Sequence, residues 1–173
     1  MRLLLVMALL ASPASVSANV SANAPASVVT AHPEAMPYDP ARNAPADVDA
    51  ALARARTSGK RVILAMGANW CHDSKGLAGW FETPRFKTML ATKYEVVFID
   101  VGTPQTGNGR NIDIVRRFGI RKIKGTPMVL VLSSEGQILN KKDAPSWRNA
   151  AGRSEDDIFG YFDAFGAGAS SRR

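Results

Sequence analysis

An α/β domain with a central mixed sheet of about four strands flanked by helices is the fold class this 173-residue chain predicts. Three observations predict it. Short apolar runs alternate with stretches of helical periodicity, which argues for a parallel βαβ unit. The run Val62-Ile63-Leu64-Ala65-Met66 is continuously apolar, as suits a strand buried on both faces. Further on, Ser133-Ser134-Glu135-Gly136 reads as a hairpin turn between two strands, which adds antiparallel pairing.

The elements follow in order. Val48, Ala51, Leu52 and Ala55 recur at helical spacing from about Ala46, and Gly59 stops that helix. The strand Val62 to Met66 comes next. After it, Gly67 to Ser74 leads into a helical stretch through Leu77 to Phe81. Thr83-Pro84 restarts a helix, with Thr83 as N-cap and Pro84 in the first turn, and Phe86, Met89 and Leu90 give it an apolar face. Tyr94 to Asp100 is the second strand, followed by a polar loop, Gly102 to Arg110. Asn111 is placed to cap a short helix carrying Ile114, Val115 and Phe118, with Gly119 as its stop. Met128 to Leu132 is the third strand and Gln137 to Leu139 the fourth. Ser154-x-x-Asp157 resembles a capping box for a last helix with Ile158, Tyr161, Phe162 and Phe165 on its apolar side.

The front of the chain reads differently. Arg2, the apolar run Leu3 to Leu10 and the small-x-small end Val16-Ser17-Ala18 describe a secretory signal peptide over residues 1–18. The run is too short to cross a bilayer as a helix, which takes about 20 apolar residues. Cleavage is expected after Ala18, Ala24 being the poorer site because Pro25 would follow. Residues 19–45 are rich in Ala, Pro and Ser without periodicity and read as a flexible tether. Residues 46–166 then form the domain, and 167–173 a frayed tail. The address this implies is export, to the periplasm, with no membrane span in the mature chain.

The formal net charge is +7, from 22 Lys and Arg against 15 Asp and Glu. The basic residues are interspersed with acids and follow no nucleic-acid motif, so nucleic acid is not an expected partner. Arg116, Arg117, Arg121, Lys122 and Lys124 form the densest basic stretch. It reads as a solvated face, or, if it flanks the reactive site, as an attraction for acidic partners.

The chain holds one cysteine. Exported chains normally use cysteines in pairs, so a single one is either an inert buried thiol or a reactive one. Trp70-Cys71-His72-Asp73-Ser74 lies between a buried strand and a helix, which sets Cys71 at a helix N-terminus. Free backbone N–H groups and the helix dipole there stabilise a thiolate, the reactive form of cysteine. A protonated His72 would act in the same direction. The polar neighbours Asn69, His72, Asp73 and Ser74 argue against deep burial as a small apolar residue. Cys71, His72 and Asp73 are all metal-ligand types, but three adjacent residues at a helix start seldom converge on one ion, so no metal is expected. There is no Gly-rich phosphate loop after a strand and no Ser-His-Asp set, and no cofactor is implied.

A strand ending in Trp70-Cys71, a helix, and Gly125-Thr126-Pro127 before a later strand resemble the thioredoxin superfamily. The resemblance covers about Ala46 to Phe165, and Asp47 to Leu52 through Gly59-Lys60-Arg61 is similar to the lead-in helix of exported bacterial thioredoxin-like proteins. It implies a cis Thr126–Pro127 bond facing Cys71, with the Thr126 backbone pairing with substrate as an added strand and Trp70 and Pro127 flanking it. Two departures matter. Ser74 stands where the family carries its second cysteine, so it cannot resolve a mixed disulfide; it is expected to cap the helix or to hydrogen-bond the Cys71 sulfur. Ala65 stands where thioredoxins carry a buried acid, and Asp73 would substitute only if its side chain turned back to the sulfur.

The expected activity is monothiol thiol–disulfide exchange. Cys71 is the nucleophile, His72 and Ser74 its catalytic neighbours, and Trp70, Thr126 and Pro127 the substrate contacts. The partners are client protein thiols or disulfides, with an external thiol or a partner redox protein as resolving agent. The alternative is a peptide-binding or chaperone-like module that keeps the fold and groove without turnover.

Overall fold

A three-stranded mixed sheet forms the centre of the computed structural model, which describes residues 32–166. The expected signal peptide, the front of the expected tether and the tail 167–173 lie outside the described residues. Strand β1 (Arg61–Gly67) is central. It pairs in parallel with β2 (Tyr94–Asp100), Met66 opposite Ile99, and antiparallel with β5 (Met128–Leu132), Met66 opposite Met128. From Val62 to Met66 every side chain of β1 is fully buried, which is why its sequence shows no polar alternation. A separate two-stranded ribbon, β3 (Gly102–Thr103) and β4 (Asn108–Gly109), carries the polar loop after β2.

Helices cover both faces. On one face α1 (Ala44–Ser58) and α4 (Ile112–Arg117) pack Val48, Leu52, Ile114 and Val115 against Leu64, Met66 and Leu130. On the other, α2 (His72–Glu82), α3 (Pro84–Lys93) and α5 (Glu155–Gly166) pack Leu77, Phe81, Phe86 and Phe162 against Ile63, Val129 and Val131. The helix ends explain themselves locally. The Asn43 side chain accepts from the Ala46 N–H at 3.2 Å, and Gly59 closes α1 in the left-handed region at φ 73°. Ser154 caps α5, its Oγ accepting from the Asp157 N–H at 3.1 Å, while the Asp157 carboxylate accepts from the Ser154 hydroxyl. Two expected caps are used otherwise. Thr83 donates its hydroxyl back to Trp80 O, and Asn111, at φ 55°, donates Nδ2–H to Asp100 O.

The expected fourth strand contracts to a single bridge, Leu132 to Ile138. A side chain stands in its place. Asn140 accepts from the Val131 N–H at 2.8 Å and donates to Val129 O at 2.9 Å, so its amide satisfies the edge of β5 as a further strand residue would. A 3-10 helical segment, Ala144–Gly152, follows and sends Trp147, fully buried, against Phe162 and Tyr161.

The expected tether is corrected over its second half. Residues 32–43 form a strap packed against the domain, with Tyr38 fully buried. Tyr38 meets the Phe98 ring edge-on at 5.5 Å, and its backbone exchanges two hydrogen bonds with the Asn69 side chain. Glu34 binds Lys75 at 2.7 Å, the Ala35 N–H donates to Lys75 O, and Trp80 Nε1–H donates to His32 Nδ1. The Pro33 carbonyl lies where a Cβ on Gly79 would sit, so α2 needs a glycine there for the strap to dock. Composition predicts a coil; one buried aromatic and several hydrogen bonds anchor it instead.

Candidate active site

Cys71 occupies the N-cap position of α2, at φ −88° and ψ 119°, directly after the loop that leaves β1. Its carbonyl accepts the Lys75 N–H, the first bond of the helix. The N–H groups of His72, Asp73 and Ser74 therefore lie in the unsatisfied first turn, where the helix dipole favours negative charge. Cys71 is a free thiol, 7% exposed. Its Sγ–H donates to Thr126 O at 3.3 Å. The Thr126–Pro127 peptide is cis and immediately precedes β5. Antiparallel pairing of β1 with β5 brings these two places together: Met66, at the end of β1, faces Met128, next to Pro127.

The neighbours sort into distinct places. Trp70 is 57% exposed, and its Nε1–H donates to Gly102 O at 3.1 Å, so the indole is fixed by the β3 ribbon with a face left open. Beside it lies a shallow cleft of about 360 Å³, lined by Tyr38, Asn69, Trp70, Thr103 and Arg110 among others. His72 turns outward, with Nδ1 2.8 Å from Glu34 Oε1. Hydrogen bonding from Lys75, and then from His72, holds the Glu34 carboxyl below its ordinary range. Asp73 Oδ1 accepts from the Ala151 N–H at 2.9 Å, which ties the start of α2 to the Trp147 segment. Asp73 thus does not turn back to the sulfur. The three adjacent residues Cys71, His72 and Asp73 reach three different partners, Thr126, Glu34 and Ala151.

Ser74 behaves unlike either expectation. It is fully buried, and its Oγ has no hydrogen-bond partner among the described residues; it neither caps α2 nor bonds the sulfur. It sits instead against the end of β1. A Cβ on Gly67 would lie 2.6 Å from Ser74 Oγ and 2.7 Å from Tyr38 Cζ, so glycine at 67 permits this close approach. The Tyr38 hydroxyl donates to Ser74 O at 3.4 Å. Burial, first, and the nearby Cys71 both push the Tyr38 phenol far above the usual tyrosine range. Tyr38 is thus a neutral, buried neighbour of the cysteine. Nothing periodic in the Pro-rich segment around it singles it out; the isolated Tyr between Pro37 and Pro40 is the one available signal.

A cysteine at the N-terminus of a helix, against a cis-proline at the head of an antiparallel strand, on a mixed sheet covered on both faces, defines a protein of the thioredoxin fold. The comparisons with known proteins agree. The thioredoxin-like family model matches residues 43–134. The crystal structure of a disulphide isomerase from Xylella fastidiosa Temecula1 is similar at 30% identity with a TM-score of 0.68, over 76% of this chain and 97% of that one. No curated protein matches. The chain belongs to the thioredoxin-like family. Among the described residues no helix is long and apolar enough to cross a membrane.

Proposed function

We propose that this protein is an exported, periplasmic thioredoxin-like protein that carries out thiol–disulfide exchange with client proteins through the single sulfur of Cys71. One observation carries the proposal: Cys71 Sγ lies at the N-terminus of α2 and 3.3 Å from Thr126 O, at the edge of backbone before Pro127. The similarity to a disulphide isomerase supports it. In the step itself the Cys71 thiolate attacks one sulfur of a client disulfide. A new Cys71–client S–S bond forms, the client S–S bond breaks, and the second client sulfur leaves as a thiolate with the bonding electron pair. Attack by an external thiolate on the mixed disulfide then frees Cys71. Trp70 and the Thr126 backbone flank the client chain. His72 stands at the exposed side of the helix start, and Ser74 occupies the position from which a resolving sulfur would act.

The test uses the full chain and its Cys71→Ser and Ser74→Cys variants, incubated with a disulfide-bonded client and quenched with acid. The natural protein should accumulate a mixed disulfide that an added thiol releases. Cys71→Ser should trap nothing, and Ser74→Cys should turn over when a reductant accepts its new disulfide. Free turnover of the natural protein without added thiol refutes the monothiol mechanism. A second reading, a binding module without turnover, is favoured by the burial of Cys71 and the missing second sulfur. It stands if neither the natural protein nor Ser74→Cys forms an adduct while folded.

A further inference from the structure

Charge is unevenly spread along this chain. Between residues 110 and 148 there are nine Lys and Arg against three Asp and Glu, so less than a quarter of the sequence carries a net +6 of the total +7. On the rest of the surface cations are largely neutralised in pairs: Arg42 with Asp47, Arg54 with Glu95, Arg85 with Glu155 and Asp156, Lys93 with Asp163. Arg121, Lys122, Lys124, Lys141 and Arg148 are exposed and have no carboxylate partner among the described residues.

Two of these bare cations, Lys124 and Arg148, adjoin Gly125 beside the cysteine site, and the others lie on the segments that lead to it. The Arg148 side chain lies over Gly125, its Cβ and Cδ 3.0 Å from the position of a Cβ there, and Gly125 directly precedes Thr126, which accepts from Cys71 Sγ. Lys141 Nζ reaches Gly119, just ahead of Arg121. Lys122 lines a small cavity with Pro104 and Ile112, on the loop side. A run of unpaired like charges is favourable to an anionic partner, and salt screens that attraction over a Debye length of about 8 Å. The bare cations of this stretch thus include the two residues, Lys124 and Arg148, that adjoin the backbone on which Cys71 rests.

We propose that the polypeptide captured by Cys71 is acidic: an extended segment with Asp or Glu flanking its disulfide-bonded cysteine, lying from Trp70 across Thr126 towards Arg148 and Lys124. This rests on the exchange reading of Cys71, and it names the client by charge. The acidic flanks steer encounter and fix which side of the client cysteine lies over Gly125.

The test follows the rate at which the full chain captures three synthetic peptides, each with one cysteine activated as the same aryl mixed disulfide. The residues flanking that cysteine are Glu, Ser or Lys. The Glu peptide should react about 10-fold faster than the Lys peptide at low salt, with the ratio closing towards one at high salt. In Lys124→Gln/Arg148→Gln, and in a second variant, Lys122→Gln/Lys141→Gln, the rate with the Glu peptide should fall towards that variant's own rate with the Ser peptide. Equal rates for all three peptides, or a preference the variants leave intact, overturn the assignment while sparing the exchange reading. Failure to capture any peptide overturns both. Equal peptide rates together with binding to phosphatidylglycerol vesicles that the variants abolish assign the patch to an anionic membrane and also overturn it.

Discussion

At Ser74 the chain keeps a hydroxyl in a fully buried place with nothing to bond among the described residues. A buried hydroxyl without a partner is destabilising by about 1–3 kcal/mol. Ser74→Ala should therefore leave the folding free energy unchanged or raise it by about 1 kcal/mol, read from urea midpoints at constant slope. A loss beyond about 1 kcal/mol would show that the hydroxyl has a partner. The same reasoning explains why Ser74→Cys should fold: no hydrogen bond is lost, and a thiol is less polar than the hydroxyl it replaces. Asp73 gives the opposite case. Its carboxylate is the acceptor for the Ala151 N–H, so Asp73→Ala should cost about 1–3 kcal/mol and loosen the Trp147 segment from α2. Near-UV dichroism of the tryptophans, together with the denaturation midpoint, checks it. The residue scale is also where the sequence was clearest. Cys71 and Thr126 lie 55 positions apart, yet the resemblance carried by Trp70-Cys71 and Gly125-Thr126-Pro127 implied that they form one site. What composition could not give was the direction of each side chain. Asp73, Ser74 and Asn140 are polar residues whose partners are set by tertiary approach.

At the level of elements the strap 32–43 is the main departure from expectation, and the strands are the main agreement. Continuous apolar runs made β1 and β5 legible, because full burial on both faces leaves little choice of residue, and β2, only partly buried, carries Val96, Val97, Phe98 and Ile99 at its centre. The strap was illegible because its stability comes from long-range contacts, which no local pattern encodes. Tyr38 is the chief of these. Tyr38→Ala should cost about 3–5 kcal/mol, the range for a buried aromatic, whereas Tyr38→Phe should cost under about 1 kcal/mol, since its hydroxyl bond to Ser74 O is long at 3.4 Å. The strap should also respond to acid. Glu34 is held ionised below its ordinary range by Lys75 and His72, so the strap contact is fully present above the unfolded carboxyl value of about 4.3. It is lost as pH falls through the lower folded value. The side-chain carboxyl carbon-13 signal of Glu34, followed from neutral pH into acid, should titrate below about 4.3, and a midpoint above that value would contradict the sign of the shift.

For the molecule as a whole, the sheet separates two apolar layers that alternate along β1, Leu64 in one and Ile63 in the other. Because both layers share β1, they should melt as one unit. Leu64→Ala and Phe162→Ala, on opposite faces, should each cost about 2–5 kcal/mol and each leave a single unfolding transition. Two transitions in either variant would show that the layers fold separately. The fold class was legible at this scale from the order of elements, and so was the end of the domain at Gly166, but its beginning was not. The expected domain begins at 46, and the family match runs from 43 to 134. Neither boundary includes Tyr38, and the match stops short of Trp147 and Phe162, all three of them fully buried. For anyone excising this domain, the ends of the family match are therefore the wrong places to cut. A recombinant fragment spanning 43–134 would uncover the ring of Phe81, which packs on Phe162 at 5.1 Å, and that of Phe98, which packs on Tyr38. Such a fragment should be insoluble. One spanning 32–166 should be monodisperse and retain its thiol, so the minimal autonomous unit is longer at both ends than the matched segment 43–134.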